Sequence, residues 1–120
     1  MQNLNSIGIG KLGEKIASTY LIQKGLKIEK MNFRSGRFGE IDIIAEDKGT
    51  LVFVEVKTRR TLAFGRPEEA VNKAKLRKME KAALFYVSAN SIEKLCRFDV
   101  VAVYLMESHV KIEHFKNVLC

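Results

Sequence analysis

The chain has 120 residues, of which 47% are hydrophobic and 29% charged, with two cysteines and no tryptophan. This is an ordinary globular balance at a common single-domain length, enough to bury a core without disulfides or a structural metal. Lys and Arg number 21 against 14 Asp and Glu, a net charge of +7; such a surplus favours an anionic partner, most simply nucleic acid, although a basic surface can also serve solubility alone.

Cys96 and Cys120 form no disulfide framework and lack zinc-ligand spacing, which suits a reducing cytoplasm. No basic stretch followed by an apolar run opens the chain, so no signal peptide is expected. No apolar run approaches the ~20 residues of a membrane span. No linker, repeat or low-complexity segment stands out, so one domain over residues 1–120 is expected.

Taken in order, Ile9, Leu12, Ile16 and Tyr20 recur at helical spacing, which predicts an amphipathic helix over residues 7–24. Gly25 ends it as the left-handed residue after the last turn. Residues 26–33 read as a strand, and Ser35-Gly36 and Gly39 mark a turn region over 32–39. Residues 40–46 and 50–57 are rich in β-branched side chains and read as two strands joined by a tight hairpin at Asp47-Lys48-Gly49.

Residues 58–66 form a polar, basic loop. Pro67, followed by Glu68 and Glu69, suits the first turn of a second helix reaching about Val87. Residues 97–105 and 110–115 read as a final hairpin turning at Glu107-Ser108-His109. The order α-β-β-β-α-β-β predicts an α/β fold: a sheet flanked by helices, with the second helix as the crossover to the last strands.

Charged residues interrupt the two strongest strands. Side chains alternate faces along a strand, so Val52, Val54 and Val56 share one face while Glu55 and Lys57 lie on the other with Leu51 and Phe53. A two-residue Lys48-Gly49 turn would pair Asp47 with Thr50, Ile44 with Phe53 and Asp42 with Glu55. A three-residue turn with Gly49 as a bulge would shift this register by one. Carboxylates opposed at ~5 Å in an effective dielectric of ~20 repel by about 3 kcal/mol. A divalent cation reverses that sign, because hard cations take carboxylate oxygens. The same residues also suit a half-exposed strand face with a weak Glu55–Lys57 pair. Glu14 shares a helical stripe with Gly10, Ala17 and Leu21, whose small or apolar character turns it toward the sheet; otherwise it is a solvated helix residue.

Asp42, twelve intervening residues, then Glu55-Val56-Lys57 is similar to the Asp…Glu-x-Lys core of the PD-(D/E)XK nuclease superfamily. A helical glutamate upstream, as at Glu14, resembles archaeal Holliday-junction resolvases. Nearly the whole chain resembles the YraN-like family of uncharacterised bacterial proteins, through Gly13-Glu14, Gly39-Glu40-Ile41-Asp42, the stretch from Val52 to Arg59, Phe64-Gly65-Arg66-Pro67, and Arg97-Phe98-Asp99-Val100-Val101. Ile41 stands where the superfamily name places proline.

The resemblance implies a restriction-endonuclease-like αβββαβ core with an extra C-terminal hairpin strand. It implies metal-assisted phosphodiester hydrolysis on nucleic acid, with branched or structured DNA as substrate. Asp42, Glu55 and the Val56 carbonyl would hold Mg²⁺ or Mn²⁺, Lys57 would orient the attacking water or stabilise developing charge, and Glu14 would assist a second ion or a water. In related nucleases the helix after Glu-x-Lys supplies another site residue, for which Lys73 is the candidate. Cutting a junction at paired sites would call for a homodimer.

Lys73, Arg77 and Lys81 form one helical stripe with Lys78 beside it, suited to tracking a phosphate backbone or to solvation alone. Arg34, Arg37, Arg59, Arg60 and Arg66 fall in the loops expected near the strand ends. Glu40 faces away from Asp42 and reads as structural. Asp99 reads as a structural hydrogen-bond or ion-pair partner, and His109 and His114 as a turn and a strand residue. A non-catalytic module that binds nucleic acid through the basic helix and loops is the alternative function, and a protein-interaction subunit is a third.

Overall fold

A computed structural model of the chain describes residues 6–60 and 72–119. The elements are α1 (Ser6–Gln23), β1 (Lys27–Arg34), a 3-10 turn (Gly36–Phe38), β2 (Glu40–Asp47), β3 (Thr50–Arg59), α2 (Lys73–Ala89), β4 (Cys96–Leu105) and β5 (Val110–Phe115). The five strands form one sheet in the order β1-β2-β3-β4-β5. β3 and β4 run parallel, linked through α2, and the other neighbours are antiparallel. This is the αβββαβ order of the restriction-endonuclease-like core, with β5 added at the edge.

Helix α1 ends where Gly25, at φ 95°, lets Leu26 N–H bond Leu21 C=O and Gly25 N–H bond Ile22 C=O. These are the two bonds of a Schellman cap, and Leu26 is buried beyond it. The buried line on α1 is Gly13, Ala17 and Leu21. Leu12, expected on the apolar face, is exposed instead. The helix meets the sheet through its smallest residues, because a Cβ built on Gly13 would lie 1.8 Å from Thr58 Oγ1 and 2.8 Å from Thr58 Cβ.

The β2–β3 hairpin turns on Lys48 and Gly49 at φ 50° and 88°, the positive pair that a two-residue type I′ turn requires. Asp47 therefore pairs with Thr50 and Ile44 with Phe53, without a bulge. Helix α2 begins behind Asn72, whose Oδ1 accepts the Lys75 N–H at 3.2 Å. The expected opening at Pro67 lies outside the described residues.

Two cores flank the sheet. Ala17 and Leu21 pack with Ile43, Ala45, Val52, Val54, Val56, Val101 and Val103 on the α1 side. Leu76, Met79, Ala82, Ala83 and Tyr86 pack with Ile41, Ile44, Leu51, Phe53 and Val100 on the α2 side. Strands covered on both faces read as continuous apolar runs, which accounts for residues 51–54 being wholly buried. Among the described residues, no helix is long and apolar enough to cross a membrane.

Candidate active site

Asp42 interrupts the strand pattern. In a regular strand Ile41 and Ile43 would share a face, yet Ile41 packs on the α2 side and Ile43 on the α1 side. The β2–β3 ladder reaches only Ile43 opposite Val54. One residue further, Asp42 Oδ2 accepts the Val56 N–H at 2.8 Å. A side-chain carboxylate thus stands where the ladder would use a main-chain carbonyl, and it is held at the end of the paired strands. Local irregularity of this kind re-aims a side chain.

Glu55 follows on β3 and is 5% exposed. Lys75 Nζ lies 2.7 Å from its Oε1 and Lys57 Nζ lies 3.9 Å from the same atom. Oε1 is buried and is held by these ammonium groups, Lys75 above all. Burial, with the charges of Glu55 and Glu14 adding to it, raises the Asp42 carboxyl from 3.8 to about 7, against the opposing pull of the Val56 N–H and Lys75. Burial lowers the Lys57 ammonium, and the positive charge of Lys75 lowers it further. Burial acts to lower Lys75 too, but the Glu55 carboxylate outweighs it and holds Lys75 above its ordinary value.

Glu14, Lys57, Arg59, Arg60 and Lys75 line one cleft at the end of β3, with Ile9, Gly10, Val56 and Thr58. Glu14 comes from α1, on the far side of the sheet, and reaches the cleft because Gly13 allows the helix to sit directly on Thr58. The charges of Glu55 and Glu14 both act on Asp42, and Lys57 lies beside Glu55, so the four are gathered in one region, although the ladder ends at Ile43 opposite Val54, one step short of the direct Asp42–Glu55 pairing that the turn suggested. Arg59 and Arg60 flank it, and Arg59 Nη1 donates to Thr58 C=O at 2.9 Å.

The helix lysine that reaches the site is Lys75. Lys73 is exposed one position after the cap. Lys75 extends the line of buried Met79, Ala82 and Tyr86 by one turn at spacings of four, three and four, and that periodicity could have singled it out. Arg77, Lys78 and Lys81 are exposed along α2. Arg37 lies in the 3-10 turn, its guanidinium 5.4 Å from the centre of the Phe38 ring. Arg34 and Glu40 form an exposed ion pair at 3.4 Å. Arg66 lies outside the described residues.

Could these residues hold a divalent ion? Among the described residues no three His, Cys, Asp or Glu side chains gather as a metal cage. The donor set is instead two carboxylates, Asp42 and a Glu55 that the Lys75 ammonium neutralises, beside the backbone of Val56. That suits Mg²⁺, which keeps several waters and is usually held by one or two carboxylates plus substrate phosphate.

A second charged cluster lies on the α1 side of the sheet. Asp99 is fully buried and accepts from Arg97 at 3.0 and 3.1 Å, His114 Nε2 at 2.8 Å and the Asn117 N–H at 3.0 Å. Arg97 also donates to Asp47 at 3.1 Å, and the Tyr20 hydroxyl lies 3.2 Å from His114 Nδ1. Burial pushes the Asp99 carboxyl up, but its donors more than offset this and leave it below the ordinary value. Asp99 thus has the structural role expected of it, and it ties α1, β4 and β5 together.

The model of the family described as "Uncharacterised protein family UPF0102" matches residues 13–103, from the glycine seated on Thr58 to near the end of β4. The chain belongs to the UPF0102 family. It is 49% identical over 111 residues to a UPF0102 protein of Thermodesulfovibrio yellowstonii, covering 92% of this chain and 95% of that one. It is 42% identical over 120 residues to one from Caldanaerobacter subterraneus subsp. tengcongensis, covering 99% and 98%. A UPF0102 protein of Trichlorobacter lovleyi is 48% identical over 112 residues, covering 91% and 87%. UPF0102 is the YraN-like family that the motifs resemble.

Proposed function

We propose that this UPF0102 chain is a metal-dependent endonuclease that hydrolyses phosphodiester bonds in branched or structured DNA. The observation that carries the reading is the pair of acids gathered at the end of β3: buried Glu55, and Asp42, whose carboxyl burial and the charges of Glu55 and Glu14 raise to about 7. Acids held this close in a buried site repel one another, and a bound divalent cation would reverse that repulsion.

Asp42, Glu55 and the Val56 carbonyl would hold Mg²⁺ or Mn²⁺, which when bound would polarise the phosphate and make a water more acidic. Asp42 is presented in one orientation by the Val56 N–H. Lys57 is partly buried and its ammonium is lowered, so it is suited to orienting a water by hydrogen bond or exchanging a proton with it. Lys75 neutralises Glu55 when no cation is present and becomes available to the phosphate when the carboxylate is engaged elsewhere. Glu14 bears on the cleft from α1, where its charge favours water or a second cation. Arg59 and Arg60, with the exposed cations of α2, would steer and seat the phosphate backbone.

The test is a cleavage panel over linear, nicked, flapped and four-way DNA in Mg²⁺, Mn²⁺ and Ca²⁺. Cutting of the branched substrates in Mg²⁺ or Mn²⁺, lost in Asp42→Asn and Glu55→Gln, supports the reading. Salt-sensitive DNA binding without cutting by the parent would instead favour a binding-only module.

A further inference from the structure

We propose that the flank of α2 facing the β1–β2 connection is a stacking platform for an unpaired nucleotide strand. This extends the nucleic-acid reading above and rests on it for its partner class. On this flank Leu84 and Phe85 are 63% and 44% exposed. With Phe38, Lys81 and Ser88 they line a shallow groove separate from the acidic cleft. Phe85 is held by other rings: its centroid is 6.4 Å from Phe33 and 6.2 Å from Phe38. Phe33 in turn packs edge-on against Tyr86 at 5.1 Å. An aromatic face fixed by its neighbours and still open to solvent is preorganised for a flat apolar partner.

The rim is cationic. Arg37 lies over Phe38, Lys81 lines the groove, and Lys78 approaches Gly39 at the foot of the 3-10 turn. Among the described residues, Arg34, Lys94, Arg97 and Lys111 each pair with an acid, whereas Arg37, Lys78 and Lys81 form no such ion pair. A two-fold contact between copies through this patch would set these cations against their own kind, which is unfavourable. A partner that is flat and apolar on one edge and anionic on the other suits both features, and an unpaired nucleotide strand has that chemistry.

The position also connects to the acidic cleft. Lys75, on Glu55, and Phe85 are ten residues apart on α2, a rise of ~15 Å. The exposed Arg77, Lys78 and Lys81 occupy the interval. A strand stacked at Phe85 would therefore run along a cationic path toward Glu55. This places the single-stranded arm of a flap or junction on α2.

The chain contains no tryptophan, so Phe85→Trp introduces one reporter. It is titrated in Ca²⁺ with a thymidine oligomer, a blunt duplex of the same length and poly-glutamate, while anisotropy of labelled DNA records binding separately. Saturable quenching by the oligomer and little by the duplex is expected. Phe85→Ala and Phe85→Leu should weaken oligomer binding on the order of 10-fold and leave duplex binding and the thermal midpoint nearly unchanged. Oligomer binding by anisotropy without quenching, or with wild-type affinity in Phe85→Ala, overturns the platform and leaves the nuclease reading intact. No binding to any DNA overturns both. Equal quenching by poly-glutamate reassigns the groove to acidic polypeptide, and emission that changes with protein concentration alone reassigns it to a second copy.

Discussion

Asp42→Asn should stabilise the metal-free protein, and increasingly so as pH rises. The amide oxygen can still accept the Val56 N–H, so the substitution removes charge while keeping the contact. The folded-state carboxyl is raised from 3.8 to about 7 by burial and by Glu55 and Glu14. That rise of about 3 units corresponds to ~4 kcal/mol at 1.36 kcal/mol per unit, an upper bound that relaxation of the site would reduce to ~2 kcal/mol. The native state holds this proton more tightly than the unfolded chain. Its contribution to stability is therefore complete below pH ~4 and is lost as pH rises through about 7. The parent should lose stability over that window in EDTA, and Asp42→Asn should lose less by the same ~2–4 kcal/mol. Near pH 8 this amounts to a midpoint roughly 10 °C higher for the variant. Urea and thermal unfolding of both proteins at steps from pH 4 to 8 measure the difference. Mg²⁺ should recover stability in the parent more than in Asp42→Asn, because it binds the ionised carboxylate. A difference that does not change with pH, or a variant less stable than the parent at pH 8, would refute the electrostatic account of the site.

Lys57→Ala should lower the cleavage rate ~10²-fold or more while leaving DNA affinity close to that of the parent, measured by single-turnover cleavage in Mg²⁺ and by binding in Ca²⁺. At subsaturating Mg²⁺ the parent's rate should climb through pH 7 as Asp42 loses its proton, and saturating metal should move that midpoint lower; a flat profile counts against Asp42 as a ligand. Asp99→Ala should cost ~3–5 kcal/mol in urea unfolding at pH 7, because Arg97 and His114 lose a buried partner. Since the Asp99 carboxyl lies below its ordinary value, its contribution is present at neutral pH and should fade on acidification, so the penalty should shrink toward pH 3. Gly13→Ala should cost ~1–3 kcal/mol through overpacking against Thr58 and should slow cleavage by displacing Glu14. In a Thr58→Gly background most of that penalty should disappear, and full additivity would show that the close approach is not its cause.

Local chemistry accounts for what the sequence by itself determined. Among the described residues, helical spacing, β-branched runs and turn residues located both helices and all five strands to within a few residues. Lys48-Gly49 marked the hairpin but left two registers open, and the positive φ at both positions selected the two-residue turn. Gly25 likewise fixed the end of α1, since only a left-handed residue completes its cap. The order of Asp42, Glu55 and Lys57 on that hairpin followed directly.

Tertiary structure decided the features that depend on contacts distant in sequence. The face that α1 buries runs through Gly13 because Thr58, forty-five residues later, admits no Cβ there, and the larger Leu12 is displaced outward. Lys75 rather than Lys73 reaches Glu55, because the start of α2 at Asn72 and its packing on the sheet set the rotation of the helix. The Asp99 network joins three elements whose residues carry no shared local signal. The rise of Asp42 to about 7 is a property of burial beside Glu55 and Glu14, and burial exists only once both helices close on the sheet.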